Sequence, residues 1–151
     1  MKVLLVYHSR YGNTKKVAEL IAEGLKTIEN LQISIEHVKD IDLTKADIYD
    51  LLLIGSPINL GAPDRSIKKF IKHLSKAPLK GNLYAVFDTY LNEKDHGKAV
   101  NKMEKLIIRK IPDVKMVSPG LSIKVSEIEG PIVKDDLDKC REFGEMLIKQ
   151  I

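Results

Sequence analysis

Unbroken apolar runs recur along the chain: Val3-Leu4-Leu5-Val6 at its head, then Leu51-Leu52-Leu53-Ile54, then Leu83-Tyr84-Ala85-Val86-Phe87. Runs this short and continuous predict strands buried on both faces, as in a parallel sheet. Between them the apolar period lengthens to that of a helix. Residues 14–28 place Val17, Leu20, Ile21, Gly24 and Ile28 on one face. A second helix is predicted from a cap at Asp64 through Leu74, with Ile67, Phe70, Ile71 and Leu74 inward. Residues 96–110 turn Ala99, Val100, Met103, Leu106 and Ile107 inward, and residues 134–150 do the same with Leu137, Cys140, Gly144, Leu147 and Ile148.

Apolar and polar residues alternate from Leu31 to Val38, which predicts an edge strand. Val114 to Val117 is also strand-like, Ser118-Pro119-Gly120 interrupts it, and Leu121, Ile123 and Val125 resume the alternation. One edge strand split by a turn accounts for this. Asp42 to Asp50 is a short connection with room for one helical turn. Strand and helix thus alternate five times, the signature of an α/β fold with an open, doubly wound parallel sheet and helices on both faces. At 151 residues the chain fits a single domain, 1–151, with its own core, and no linker, repeat or low-complexity tract divides it.

Composition narrows the function by exclusion. Lysine and arginine exceed aspartate and glutamate by 25 to 21, a net charge of +4, with a pI near 9.0. The excess is spread among acids along the chain with no arginine cluster, so a solvated surface is expected in place of a nucleic-acid interface. Five tyrosines and three phenylalanines are too dispersed for a base-stacking platform. The single cysteine, Cys140, excludes an internal disulfide and any multi-cysteine metal site, and its place on an apolar helical face marks it as core. His8, His37, His73 and His96 show no metal-ligand spacing. No leader precedes the first strand and no apolar run approaches a membrane span, which points to a soluble, cytoplasmic protein.

The candidate chemistry lies at the ends of the three most buried strands. In a doubly wound sheet, ligands bind beyond the carboxyl ends of the strands, at the switch in strand order. Three loops fit that position: Ser9–Thr14, Ser56–Pro63 and Asp88–Gly97. The first opens directly into a helix, aiming free backbone N–H groups and a positive dipole end at one point. Gly12 allows an unusual backbone angle, Ser9 and Thr14 offer hydroxyls, Asn13 an amide and Arg10 a charge. The expected ligand carries a phosphate.

Ser9-Arg10-Tyr11-Gly12-Asn13-Thr14 after a first strand resembles the FMN-phosphate loop of the flavodoxin family. Ser56-Pro57-Ile58-Asn59-Leu60-Gly61, after Gly55, is similar to that family's second flavin loop, and Asp88-Thr89-Tyr90 with Gly97 to its third. Glu129-Gly130-Pro131 resembles a segment of a small subgroup of single-domain flavodoxin-like proteins. The likeness spans nearly the whole chain in the right order. It implies a three-layer fold with five parallel strands in the order 2-1-3-4-5, FMN as cofactor, and all sixteen of these loop residues at the flavin, although Asp88 by its position reads equally well as a strand-end cap. It also implies a small electron carrier serving redox partner proteins as a monomer or weak homodimer, with neither nucleic acid nor membrane as partner.

Two departures from the family are visible. The chain has no tryptophan, so Tyr90, with Tyr11 behind it, is the aromatic expected at the flavin ring, and it is basic where familiar carriers are acidic. Two other functions remain open beside the carrier. One is an FMN-dependent reductase passing hydride from NAD(P)H to a quinone or similar acceptor. The other is a flavin-free binding module, against which the intact first loop argues. A nucleoside-triphosphatase loop and a dinucleotide-binding G-x-G-x-x-G are both absent from the sequence. A phosphorylation receiver would need acids after strand one, where Tyr7 and His8 stand.

Overall fold

In a computed structural model, which describes residues 1–79, 81 and 83–151, the first apolar run becomes strand β1, Lys2–Tyr7. Its alternate side chains enter two different cores. Val3, Leu5 and Tyr7 pack with one helical layer, and Leu4 and Val6 with the other. Strand β3, Leu51–Asn59, divides in the same way, Leu51 and Leu53 to the first core and Leu52 and Ile54 to the second. Burial on both faces is why neither strand shows a polar-apolar alternation in sequence.

The first layer is made by helices α1, Asn13–Leu25, and α4, Lys134–Lys149, and the second by α2, Arg65–Leu74, and α3, Lys98–Lys110. Strand β2, Gln32–His37, pairs with β1 at one edge, and β5, Leu83–Tyr90, lies on the far side of β3, all parallel. Strands β6, Lys115–Met116, and β7, Leu121–Lys124, both add in parallel to β5 and together form the split edge strand expected from the pattern. The order of the principal strands is therefore the predicted doubly wound one, β2-β1-β3-β5 and then the β6/β7 edge. A two-residue strand β4, Ala62–Pro63, folds back antiparallel on the end of β3, a detail the apolar pattern does not carry.

The other differences lie at element ends. Helix α1 stops at Leu25, and Ile28, expected inward, is exposed in the turn that follows. Helix α3 starts at Lys98, with a single 3-10 turn at Glu93–Asp95 before it. Strands β3 and β5 run on beyond Ile54 and Phe87, because pairing continues through Ser56↔Asp88 and Pro57↔Thr89. Polar residues can extend these strands where the neighbouring strand completes their backbone hydrogen bonds. Helices α1 and α4 cross closely at two glycines: a Cβ on Gly24 would lie 2.0 Å from the Arg141 carbonyl oxygen, and one on Gly144 2.2 Å from that of Ile21. Cys140 is fully buried in this layer, as expected of a core residue, and burial and the nearby Asp136 carboxylate push its thiol up to about 12. Among the described residues, no helix is long and apolar enough to cross a membrane.

Candidate functional site

The carboxyl ends of β1, β3 and β5 converge on a cavity of about 1190 Å³. From the first loop, Ser9–Tyr11, Asn13 and Thr14 line it. The Ser9 hydroxyl accepts the Gly12 N–H at 3.0 Å, which turns the chain into α1. Gly12 caps that helix with φ +92°, a left-handed conformation that suits a residue without a Cβ, and it brings no side chain of its own to cap the helix. The first bond inside the helix runs from Lys16 N–H to the Gly12 carbonyl at 3.0 Å. The N–H groups of Asn13, Thr14 and Lys15 therefore lie at the open end of the helix, with the positive end of its dipole. Gly130 packs against this turn, where a Cβ would stand 2.3 Å from the Asn13 side-chain oxygen.

Thr14 is almost fully buried, and its hydroxyl shares a 3.0 Å hydrogen bond with that of Thr89. This bond ties the first loop to the end of β5. Arg10 lies with its guanidinium carbon 5.3 Å from the centre of the Tyr11 ring. That ring is half exposed, whereas Tyr90 is buried and meets His96 edge-on at 5.0 Å. Burial, with the Glu93 and Asp136 carboxylates nearby, holds the Tyr90 hydroxyl above its ordinary pKa.

Pro57–Gly61 forms the second wall. Leu60 and Gly61, at φ +49° and +73°, make the two-residue turn between β3 and β4. Two central residues at positive φ are those of a hairpin turn that favours Asn-Gly, so a leucine here is strained. The Leu60 side chain is fully exposed at the cavity edge. Lys102 donates from Nζ to the Gly61 carbonyl at 2.8 Å and anchors this turn to α3.

Four of the sixteen predicted residues do not line the cavity: Gly12, Ser56, Asp88 and Gly97. Gly12 shapes the helix start behind it. Ser56 is fully buried, donating to the Pro57 carbonyl and accepting the Asp64 N–H, both at 2.8 Å. Asp88 is also fully buried; it accepts the Val100 N–H at 2.9 Å and the Ser122 hydroxyl, and so caps α3 from the end of β5. Burial pushes its carboxyl up to about 6, against the opposing pull of the Ser122 hydroxyl and Val100 N–H. Gly97 starts α3 in a left-handed conformation and donates its N–H to Ser122 Oγ at 2.9 Å.

The cavity also includes residues that no loop pattern singled out. His8 and Asp64 line it, as do His37 and Lys39 from the end of β2. His8 Nε2 lies 3.6 Å from Asp64 Oδ1, the two imidazole rings meet at 5.2 Å, and His37 Nδ1 accepts the Lys39 N–H at 3.2 Å. Burial, with His8 and Lys39 beside it, lowers the His37 pKa. Burial works to raise the Asp64 carboxyl, but the Ser66 hydroxyl and N–H and the nearby His8 hold it below its ordinary value. The available sequence signal was positional: β2 is the neighbour of β1, so its carboxyl end opens at the same edge.

A flavodoxin domain model matches residues 4–117. A flavodoxin from Clostridium saccharobutylicum is 30% identical in an alignment covering 100% of this chain and 98% of that protein. A flavodoxin from Aquifex aeolicus is 44% identical over 71 residues, which are 46% of this chain and 37% of that relative. The solved structure of a flavodoxin from the domain Archaea superposes with a TM-score of 0.82 at 24% identity, over 99% of each chain, a likeness of fold. The chain belongs to the flavodoxin family. It is a small FMN-binding electron-transfer protein, and the donor set fits that cofactor: an uncapped helix start for the phosphate and two aromatic side chains beside a roomy, half-polar cavity.

Proposed function

We propose that the chain acts as one domain, as a cytoplasmic carrier of electrons between redox partner proteins, with the cavity at the ends of β1, β3 and β5 as its FMN site. The observation that supports this most is the uncapped start of α1, which opens into that cavity beside Ser9, Arg10 and Asn13. FMN supplies the redox chemistry when bound. The N–H groups of Asn13, Thr14 and Lys15 and the Asn13 amide hold the phosphate, with Arg10 adding charge. Backbone groups of Ile58, Asn59, Leu60 and Gly61 serve the polar edge of the ring. Tyr90 and Tyr11 supply aromatic faces. Thr14 and Thr89 hold the phosphate loop and the third wall in fixed relation. Ser56, Asp88 and Gly97 act behind the cavity by positioning the second and third walls.

Titration of flavin fluorescence tests the assignment. FMN is expected to bind at least about a hundredfold more tightly than riboflavin, because each hydrogen bond to a charged group contributes about 1.5–3 kcal/mol. Thr14→Ala should weaken FMN by about 1–2 kcal/mol as the two loops uncouple. Equal affinity for the two flavins would remove the phosphate loop from the site. A carrier also predicts no steady-state oxidation of NAD(P)H by the FMN-loaded protein, whereas the reductase alternative requires it.

A further inference from the structure

The net charge of +4 is divided very unequally between the two helical layers. Helix α2 carries Arg65, Lys68, Lys69 and Lys72 and no acid. Helix α3 carries Lys98, Lys102, Lys105, Arg109 and Lys110 against a single acid, Glu104, which accepts the Gly120 N–H. In the opposite layer, α1 balances Lys15 and Lys16 with Glu19 and Glu23, and α4 sets five acids against four cations. The whole basic excess, and more, therefore sits on one broad face.

The spacing organises that face. On α2, Arg65, Lys69 and Lys72 follow one another at intervals of four and three residues, and on α3, Lys98, Lys102, Lys105 and Arg109 at four, three and four. Each set forms a stripe on the outer side of its helix, all seven residues are exposed, and the two helices pack side by side. Among the described residues, the salt bridges engage one of these cations, Lys98 with Asp95 at 3.0 Å. Like charges at these intervals repel and work against the helix. The α3 stripe also runs up to the cavity: Lys98 lines it, with Lys94 beyond, and Lys102 is bonded to the Gly61 carbonyl at its rim.

We infer that the α2/α3 face is the docking surface for an acidic electron-transfer protein. This rests on the carrier reading above. The continuity of the stripe with the cavity mouth selects this occupant, because a partner held on these lysines lies against the place where electrons enter and leave. A nucleic acid or an anionic membrane would meet the same charges without any use for the cavity beside them. Opposite charge on the partner steers the encounter and sets its orientation, and makes the association sensitive to salt.

The test is calorimetric titration of the oxidised, FMN-loaded protein with an oxidised, strongly acidic ferredoxin at low and at high salt. Binding is expected to weaken at least tenfold at high salt. Reversal of three charges, Lys69→Glu/Lys105→Glu/Arg109→Glu, should weaken it at least tenfold at low salt. The same change in net charge on the other layer, Lys26→Glu/Lys134→Glu/Lys149→Glu, should change it less than threefold. Equal effects from the two triple variants, indifference to salt, or tighter binding to duplex DNA or phosphatidylglycerol vesicles than to the ferredoxin would each overturn the inference. None of the six substituted residues lines the cavity, so FMN absorbance reports separately on the carrier reading and on the integrity of each variant.

Discussion

Leu60 and Asp88 show how single residues carry cost for the sake of the site. Leu60 occupies a left-handed position in a two-residue turn with its side chain wholly in solvent at the cavity edge. A left-handed backbone costs an ordinary L-residue about 1–2 kcal/mol, and asparagine tolerates it better. Leu60→Asn is therefore expected to raise the melting temperature by about 2–4 °C, the shift that 1 kcal/mol produces in a domain of this size. The same change should weaken FMN binding by removing apolar cover, and calorimetry with and without flavin reads both effects. Asp88 bears a different cost. Its pKa in the fold, about 6, lies above the usual carboxylate range, so the folded state binds its proton more tightly than the unfolded chain. The stability it contributes is fully present at pH below about 4 and is lost as pH rises through 6. Asp88→Asn cannot titrate. Relative to this variant, the wild-type protein should lose about 3 kcal/mol between about pH 4 and about pH 7, measurable by urea unfolding at each pH.

Elements place the loop proposed to hold the phosphate. Helix α1 carries it, and α1 is held against α4 by the close crossing at Gly24 and Gly144. The carbonyls that a Cβ would strike belong to the backbone, so relief requires the helices to separate. Overpacking of this kind costs about 1–3 kcal/mol. Gly144→Ala should therefore destabilise the fold by about that amount, seen in urea unfolding. It should also weaken FMN by several-fold although Gly144 is remote from the cavity, because α1 moves with its N-terminus. If stability falls and flavin affinity does not, the loop tolerates displacement of its helix. Helix α3 is placed from the other direction: Asp88, near the end of β5, and Ser122, near the start of β7, reach its N-terminus. The cavity wall and the basic stripe on α3 are thereby set by one buried cap.

The whole molecule couples these parts through one sheet. Three loops from non-neighbouring stretches of chain line one cavity, so FMN at the proposed site binds the folded state and has no comparable site in the unfolded one. At a hundredfold excess over its dissociation constant, a ligand of this kind stabilises by about 2.7 kcal/mol. The melting temperature should then rise by about 5–10 °C with FMN, and much less with riboflavin at the same concentration. Thermal denaturation with each flavin distinguishes them. Charge also belongs to this scale: the cations of two separate segments, 65–72 and 98–110, come together on the α2/α3 layer, leaving α1 and α4 near neutral.

The fold was legible in sequence because its signals are local. Unbroken runs such as Val3–Val6 and Leu51–Ile54, and the helical period after each, record the burial of a segment in its own neighbouring residues, and five alternations leave few topologies. The turn at Ser9–Gly12 and the helix it opens were legible for the same reason, since they are contiguous. What no local pattern contained was the register between strands. Pairing of Ser56 with Asp88 carries β3 and β5 past their apolar runs and turns both side chains into the scaffold, although in sequence Ser56 reads as a loop ligand and Asp88 equally as a ligand or a strand-end cap. His8, His37 and Asp64 become neighbours only because β1 pairs with β2 and β3 on either side. The basic face exists only because two crossovers deliver α2 and α3 to the same side of the sheet, a matter of handedness and packing that composition averages away.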